Sequence, residues 1–158
     1  MLPDKLQIHE ELWAVYSWWT AILILKMMYL TWITGRLRVN HKIFHSEEDK
    51  MWADGPVTLC VSGGGHPAVD QIRDIHQRDL KILIPYILFA PVWLIISPCN
   101  LLTLVIIRII PLSNILYTLF NLNVRHIFSL NCCKILSYVE YGTLLIILVL
   151  FFVRFFEF

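Results

Sequence analysis

HPAVDQIRDIHQRDLKILIPYILF, residues 66–89, decides the fold. Eight ionisable side chains (His66, Asp70, Arg73, Asp74, His76, Arg78, Asp79 and Lys81) lead straight into an apolar run, with no turn residue between Pro67 and Pro85. From Ala68 onward nothing breaks a helix before Pro85, so the charged stretch reads as the first turns of a helix that projects from a membrane and then enters it. At helical spacing Arg73, Gln77 and Lys81 share one face, while Asp70, Asp74 and Arg78 form a neighbouring acid-to-base ladder. On a soluble helix such a ladder is a solvated end contributing about a few tenths of a kcal/mol per pair. On a helix that continues into lipid the same charges are costly and point to function.

The rest of the chain supports a membrane setting. Of its 158 residues 58% are hydrophobic and 16% charged, against roughly 25% charged in an ordinary soluble domain. Four apolar segments, roughly 12–34, 82–98, 101–120 and 127–153, approach or exceed the ~20 residues a helix needs to cross a bilayer. Backbone groups in lipid must pair internally, so the expected fold is all-α: a four-helix transmembrane bundle forming one domain over residues 1–158. The first segment follows Asp4, Glu10 and Glu11 rather than a basic start and lacks a small-residue cleavage site, which predicts a retained helix rather than a cleaved signal. Arg36, Arg38, Lys42, Lys50, Arg73, Arg78 and Lys81 lie between the first two helices, which assigns that long loop to the cytosol, together with the turn carrying Arg125. The formal net charge of +1 gives no case for a nucleic-acid partner.

Other features read as structural. Cys60, Cys99, Cys132 and Cys133 form no CxxC pair and accompany no histidine at zinc-finger spacing, so no metal site is expected and the thiols read as small apolar fillers or a free loop thiol. The glycine run Ser62–Pro67 lacks the Lys-Ser/Thr of a phosphate loop and reads as a turn inside the polar region 36–65. Lys26, Arg108 and Glu140 interrupt apolar segments, with Arg108 and Glu140 expected to pair across the bundle. Asn114 and Tyr117, at i and i+3, are expected to line a polar cavity. Pro85, Pro91 and Pro111 fall inside membrane helices, where neighbouring groups can re-satisfy the carbonyls they free. Trp13, Trp18, Trp19 and the C-terminal LFFVRFFEF read as interfacial anchors.

In order and spacing these residues resemble the MAPEG family, the membrane-associated proteins of eicosanoid and glutathione metabolism, and within it the prostaglandin E synthase and glutathione transferase branch. The resemblance is strongest over KMMYLTWITGRLRVNHKIFHSEED (26–49) and continues through Gly55-Pro56, Cys60-x-Ser62 and Pro67-x-Val69. It then follows the helix-2 pattern at Val69, Asp70, His76, Asp79 and Pro85, with Arg73 matching the transferase version and Pro98 falling at the turn that ends the helix. It implies a homotrimer in the endoplasmic reticulum membrane, surrounded by lipid, with glutathione between subunits on the cytosolic side and a lipophilic substrate entering from the bilayer.

The resemblance also implies roles. Arg125 would hold the glutathione thiolate, because a guanidinium beside a thiol favours its ionised form, and Asp49 would handle the proton. Arg38 and Arg73 would contact glutathione, and Tyr117 would lie near the thiol pocket. Arg78 and Lys81 stand where the family has Asn and Glu, reversing the charge that receives glutathione's ammonium; Asp74, one turn earlier beside Gln77, would compensate. His126 replaces the serine that follows the synthase arginine, and Pro111 or Ser113 falls near the family's helix-3 histidine. The implied activity is glutathione-dependent isomerisation of prostaglandin H endoperoxide to prostaglandin E. The alternatives are a glutathione transferase or peroxidase acting on lipophilic electrophiles or lipid hydroperoxides, and a non-catalytic member of the family.

Overall fold

A computed structural model describes residues 4–44, 46–48, 51, 55–56, 58–60, 65–96, 101–122 and 127–156. Among these the chain is all-helical but for one short strand pair: α1 is Asp4–His41, α2 Pro67–Ile96, α3 Leu101–Leu122 and α4 Ile127–Phe156. The charged stretch is helical from Pro67 onward, and Pro85, Pro91 and Pro111 all lie inside helices.

Two boundaries differ from expectation. α1 runs through 38 residues to His41, so the polar region expected from residue 36 begins later and Arg38 belongs to the last helical turn. Lys42 ends the helix in the left-handed conformation (φ 54°), its amide donating to the Val39 carbonyl at 3.1 Å. The chain then forms a two-residue parallel ladder, β1 (Ile43–Phe44) with β2 (Thr58–Leu59), in the register Ile43 to Thr58 and Phe44 to Leu59. Gly65 closes this region with φ 113°, and a Cβ there would meet Ile43 Cγ2 at 3.2 Å and Cys60 Sγ at 3.3 Å. The backbone conformation therefore favours glycine, and the tight space around it adds to that preference. Ser62–Gly64, the rest of the glycine run, lies outside the described residues.

The chain divides into two compact units: the described residues of Met1–Ile24 with Asp79–Phe158, and Leu25–Arg78. In the first, α3 packs along α4. Its core gathers Leu12, Tyr16 and Leu23 of α1, Ile82, Tyr86, Trp93 and Leu94 of α2, Ile106, Ile107 and Ile110 of α3, and Cys133 and Ile147 of α4. The second unit has a smaller core of Leu30, Ile43, Phe44, Val69, Ile72 and Ile75.

Proline chemistry explains two of the tertiary hydrogen bonds in the first unit. A proline at position i has no N–H, so the carbonyl at i−4 loses its helical donor. Pro91 frees the Ile87 carbonyl, and the Tyr16 hydroxyl donates to it at 3.0 Å. Pro111 frees the Ile107 carbonyl, and the Tyr86 hydroxyl donates to it at 3.1 Å. The two tyrosine rings lie 5.8 Å apart, which links these repairs of α2 and α3 through α1. Hydroxyls elsewhere bond back one turn: Thr31 to Met27, Thr34 to Leu30, Ser113 to Ile109, Thr118 to Asn114, Ser137 to Cys133 and Thr143 to Val139. A short polar side chain thereby satisfies itself inside an apolar helix.

Among the described residues two helices are long and apolar enough to cross a membrane, α3 over Leu101–Leu122 and α4 over Phe128–Val153. Only 17% of the apolar stretch of α4 and 44% of that of α3 is buried, so the chain itself leaves most of this apolar surface uncovered. α1 and α2 have the length, but Ser17, Thr20, Lys26 and Thr31 dilute the apolar stretch of α1, and the first four turns of α2 are charged.

Candidate functional site

Five of the residues expected to hold glutathione lie in the Leu25–Arg78 unit. Arg38, Arg73 and Arg78 are half-buried, whereas Asp74 and Gln77 are exposed. Half-burial suits an arginine that binds an anionic ligand, because the stem packs while part of the guanidinium remains open. Asp70 sits in the first turn of α2, where the helix dipole favours a carboxylate.

Two histidines, one on each side of the polar loop, meet in this unit. His41, at the end of α1, and His66, immediately before α2, stack with ring centroids 3.6 Å apart and planes inclined by 19°. His66 caps α2: its Nδ1 accepts from the Ala68 amide at 3.2 Å, and its carbonyl accepts from the amides of Val69 and Asp70, both at 3.0 Å. His41 shares a helix face with Arg38 at i+3, and Arg73 follows His66 by two helical turns. The stack thus fixes the end of the helix carrying Arg38 against the start of the one carrying Arg73. A histidine flanking each end of a long polar loop is the only signal of this in the sequence, and spacing alone does not pair them.

Tyr117 belongs to the other unit, half-buried on α3, where the Asn121 side-chain amide donates to its hydroxyl at 3.2 Å. The polar cavity expected beside Asn114 is not formed by that residue. Asn114 is entirely buried and its Nδ2 donates to Asp79 Oδ1 at 2.9 Å, Asp79 being equally buried. A carboxylate in an apolar bundle needs a donor, and the amide on α3 supplies one. The expected Arg108–Glu140 pair is likewise not made: Arg108 faces outward on α3 while Glu140 is fully enclosed on α4. An arginine can reach water or headgroups from a helix surface at less cost than following a carboxylate into the core.

Asp49, Arg125 and His126, which carry the implied proton transfer and thiolate contacts, lie outside the described residues. No group of three or more potential metal ligands occurs among the described residues.

The fold and these side chains define an all-helical protein with two helices able to span a membrane and with half-buried arginines on α1 and α2. Against curated proteins, the chain is 28% identical to prostaglandin E synthase of Homo sapiens over 79 residues, covering 50% of this chain and 49% of that protein. The prostaglandin E synthase of Macaca fascicularis matches at the same identity and coverage. The chain spans about half the length of the curated relatives it matches. No family model matches it.

Proposed function

We propose that the chain is a divergent MAPEG-type membrane enzyme of the prostaglandin E synthase kind, using glutathione to isomerise prostaglandin H endoperoxide to prostaglandin E. In this reading all four helices cross the endoplasmic reticulum membrane as one domain, the loop between α1 and α2 is cytosolic, and three copies assemble. The observation that carries the proposal is the likeness to prostaglandin E synthase over half the chain. The half-buried arginines in the Leu25–Arg78 unit support it.

Glutathione has two carboxylates and one ammonium, so its binding site needs more than one fixed cation and at least one anion. Arg38, Arg73 and Arg78 meet the first need and Asp70 and Asp74 the second, so the donor set fits the ligand. Bound glutathione would supply a thiolate that attacks one peroxide oxygen and is released unchanged. Arg38 and Arg73 hold carboxylates, Asp74 takes the ammonium that the family's glutamate would receive, and Gln77 and Arg78 border the same site. In this reading Arg125 would stabilise the negative charge on sulfur, and His126 and Tyr117 would contact the thiol. Asp49 accepts the proton from the carbon bearing the broken peroxide, turning that carbon into the ketone.

Product analysis of the purified full chain with glutathione tests the reading. Prostaglandin E formed from the endoperoxide without consumption of glutathione is the expected result. Conjugation of an aryl halide or reduction of a lipid hydroperoxide, with no prostaglandin E, would assign the transferase or peroxidase activity instead. An unchanged ultraviolet spectrum on adding glutathione, where a bound thiolate should absorb, would mark a non-catalytic protein.

A further inference from the structure

A second candidate site lies in the unit formed by Met1–Ile24 and Asp79–Phe158, and none of the side chains lining it is assigned to the glutathione site. An open cavity of about 480 Å³ is lined by Ala14, Val15, Trp18 and Trp19 of α1 and Arg108 of α3. Arg108 is the sole charged residue of α3, in a helix otherwise able to cross a membrane. It is exposed, and it forms no ion pair among the described residues. The contrast with Arg36 is informative: that arginine also borders a surface hollow, but its guanidinium sits over the Trp32 ring at 5.0 Å. Among the described residues Arg108 has no comparable ring contact.

A guanidinium on the lipid-facing surface of a membrane helix is costly unless it reaches an anion or the interface. Arg108 is seven residues beyond Leu101, about 10 Å along the helix at 1.5 Å per residue, a depth from which an extended arginine can reach the headgroup level. Trp18 and Trp19 supply apolar ring faces and indole N–H donors, the combination that suits the boundary between acyl chains and headgroups. One cation, two indoles and apolar walls open to the surroundings match a molecule with an anionic head and an acyl tail.

We infer that this cavity binds an anionic amphiphile of the surrounding bilayer, with Arg108 on the phosphate or carboxylate and Trp18 and Trp19 against the upper acyl chain. The inference rests on the membrane placement proposed above, not on the glutathione chemistry. A second copy of the chain is the competing occupant.

The test uses the full chain in bilayer nanodiscs containing lipids with brominated acyl chains, which quench nearby indoles. The contribution of Trp18 and Trp19 is the difference between the wild type and the W18F/W19F variant. Brominated phosphatidylglycerol or a brominated fatty acid should quench that contribution at about fivefold lower mole fraction than brominated phosphatidylcholine, the factor one arginine–anion contact supplies at a membrane surface. The stronger of the two anionic quenchers identifies phosphate or carboxylate as the preferred head. Arg108→Lys should keep the preference and Arg108→Leu should abolish it, the latter without risk to folding because leucine suits the same surface. Equal quenching by anionic and zwitterionic lipids, or a preference that survives in Arg108→Leu, overturns the site. So does a smaller oligomer in Arg108→Leu with no lipid preference in the wild type, which would assign the face to a second copy. A chain that does not enter discs overturns both the site and the membrane placement, whereas a chain that enters without lipid preference overturns the site alone.

Discussion

Asp74 and Asp79 lie on one helix, yet Asp74 is exposed and Asp79 is wholly buried against Asn114. The border between the two units falls between them, after Arg78. On the Leu25–Arg78 side, arginines and aspartates stay partly open, where they can trade water for a ligand. On the other side, several buried polar groups are answered from neighbouring helices: Asn114 answers Asp79, and two tyrosine hydroxyls answer the carbonyls that prolines free. In the Leu25–Arg78 unit charged side chains stay in reach of the surroundings, whereas in the other unit buried polar groups join one helix to the next.

Four substitutions sharpen or break that contrast. Arg125→Ala should have the largest effect, lowering turnover of the endoperoxide by about 100-fold or more if the arginine stabilises sulfur charge. Turnover near the wild-type level, measured with saturating glutathione, would move the thiolate contact elsewhere. Asn114→Leu leaves the Asp79 carboxylate buried without its amide donor and should destabilise the chain by about 2–3 kcal/mol. Thermal unfolding in detergent measures this, and Asp79→Asn, which keeps a polar partner for Asn114, should be milder.

Tyr86→Phe removes only the hydroxyl that serves the Ile107 carbonyl, and about 1–1.5 kcal/mol should be lost. If Tyr86→Phe is neutral while Pro111→Ala in the same background is stabilising, the freed carbonyl is the sensitive group and the tyrosine only fills space. Asp74→Asn should change thermal stability least, within about 0.5 kcal/mol, because the side chain is exposed. Its effect should appear instead as a raised KM for glutathione, and an unchanged KM would remove Asp74 from the proposed site.

Much of this contrast can be anticipated from residue order. The unbroken run from Ala68 to Pro85 marks a charged helix start, and the apolar segments mark four helices, because helical periodicity and breakers act locally. The end of α1 is misplaced since Arg36 and Arg38 look like loop charges, although both are good helix formers and the helix stops only where Lys42 turns left-handed. The Arg108–Glu140 pairing fails for a different reason: opposite charges in two helices imply a partnership only if both face the same interior.

Sequence also predicts that prolines in membrane helices need outside donors, but not that Tyr16 and Tyr86 are those donors. Nor does it pair His41 with His66, join Ile43 to Thr58, or bring Asn114 to Asp79 across 35 positions. Local rules govern where helices start, how they break and which segments avoid water. Which buried polar group meets which partner depends on how separate helices approach and rotate, and only the folded chain settles that.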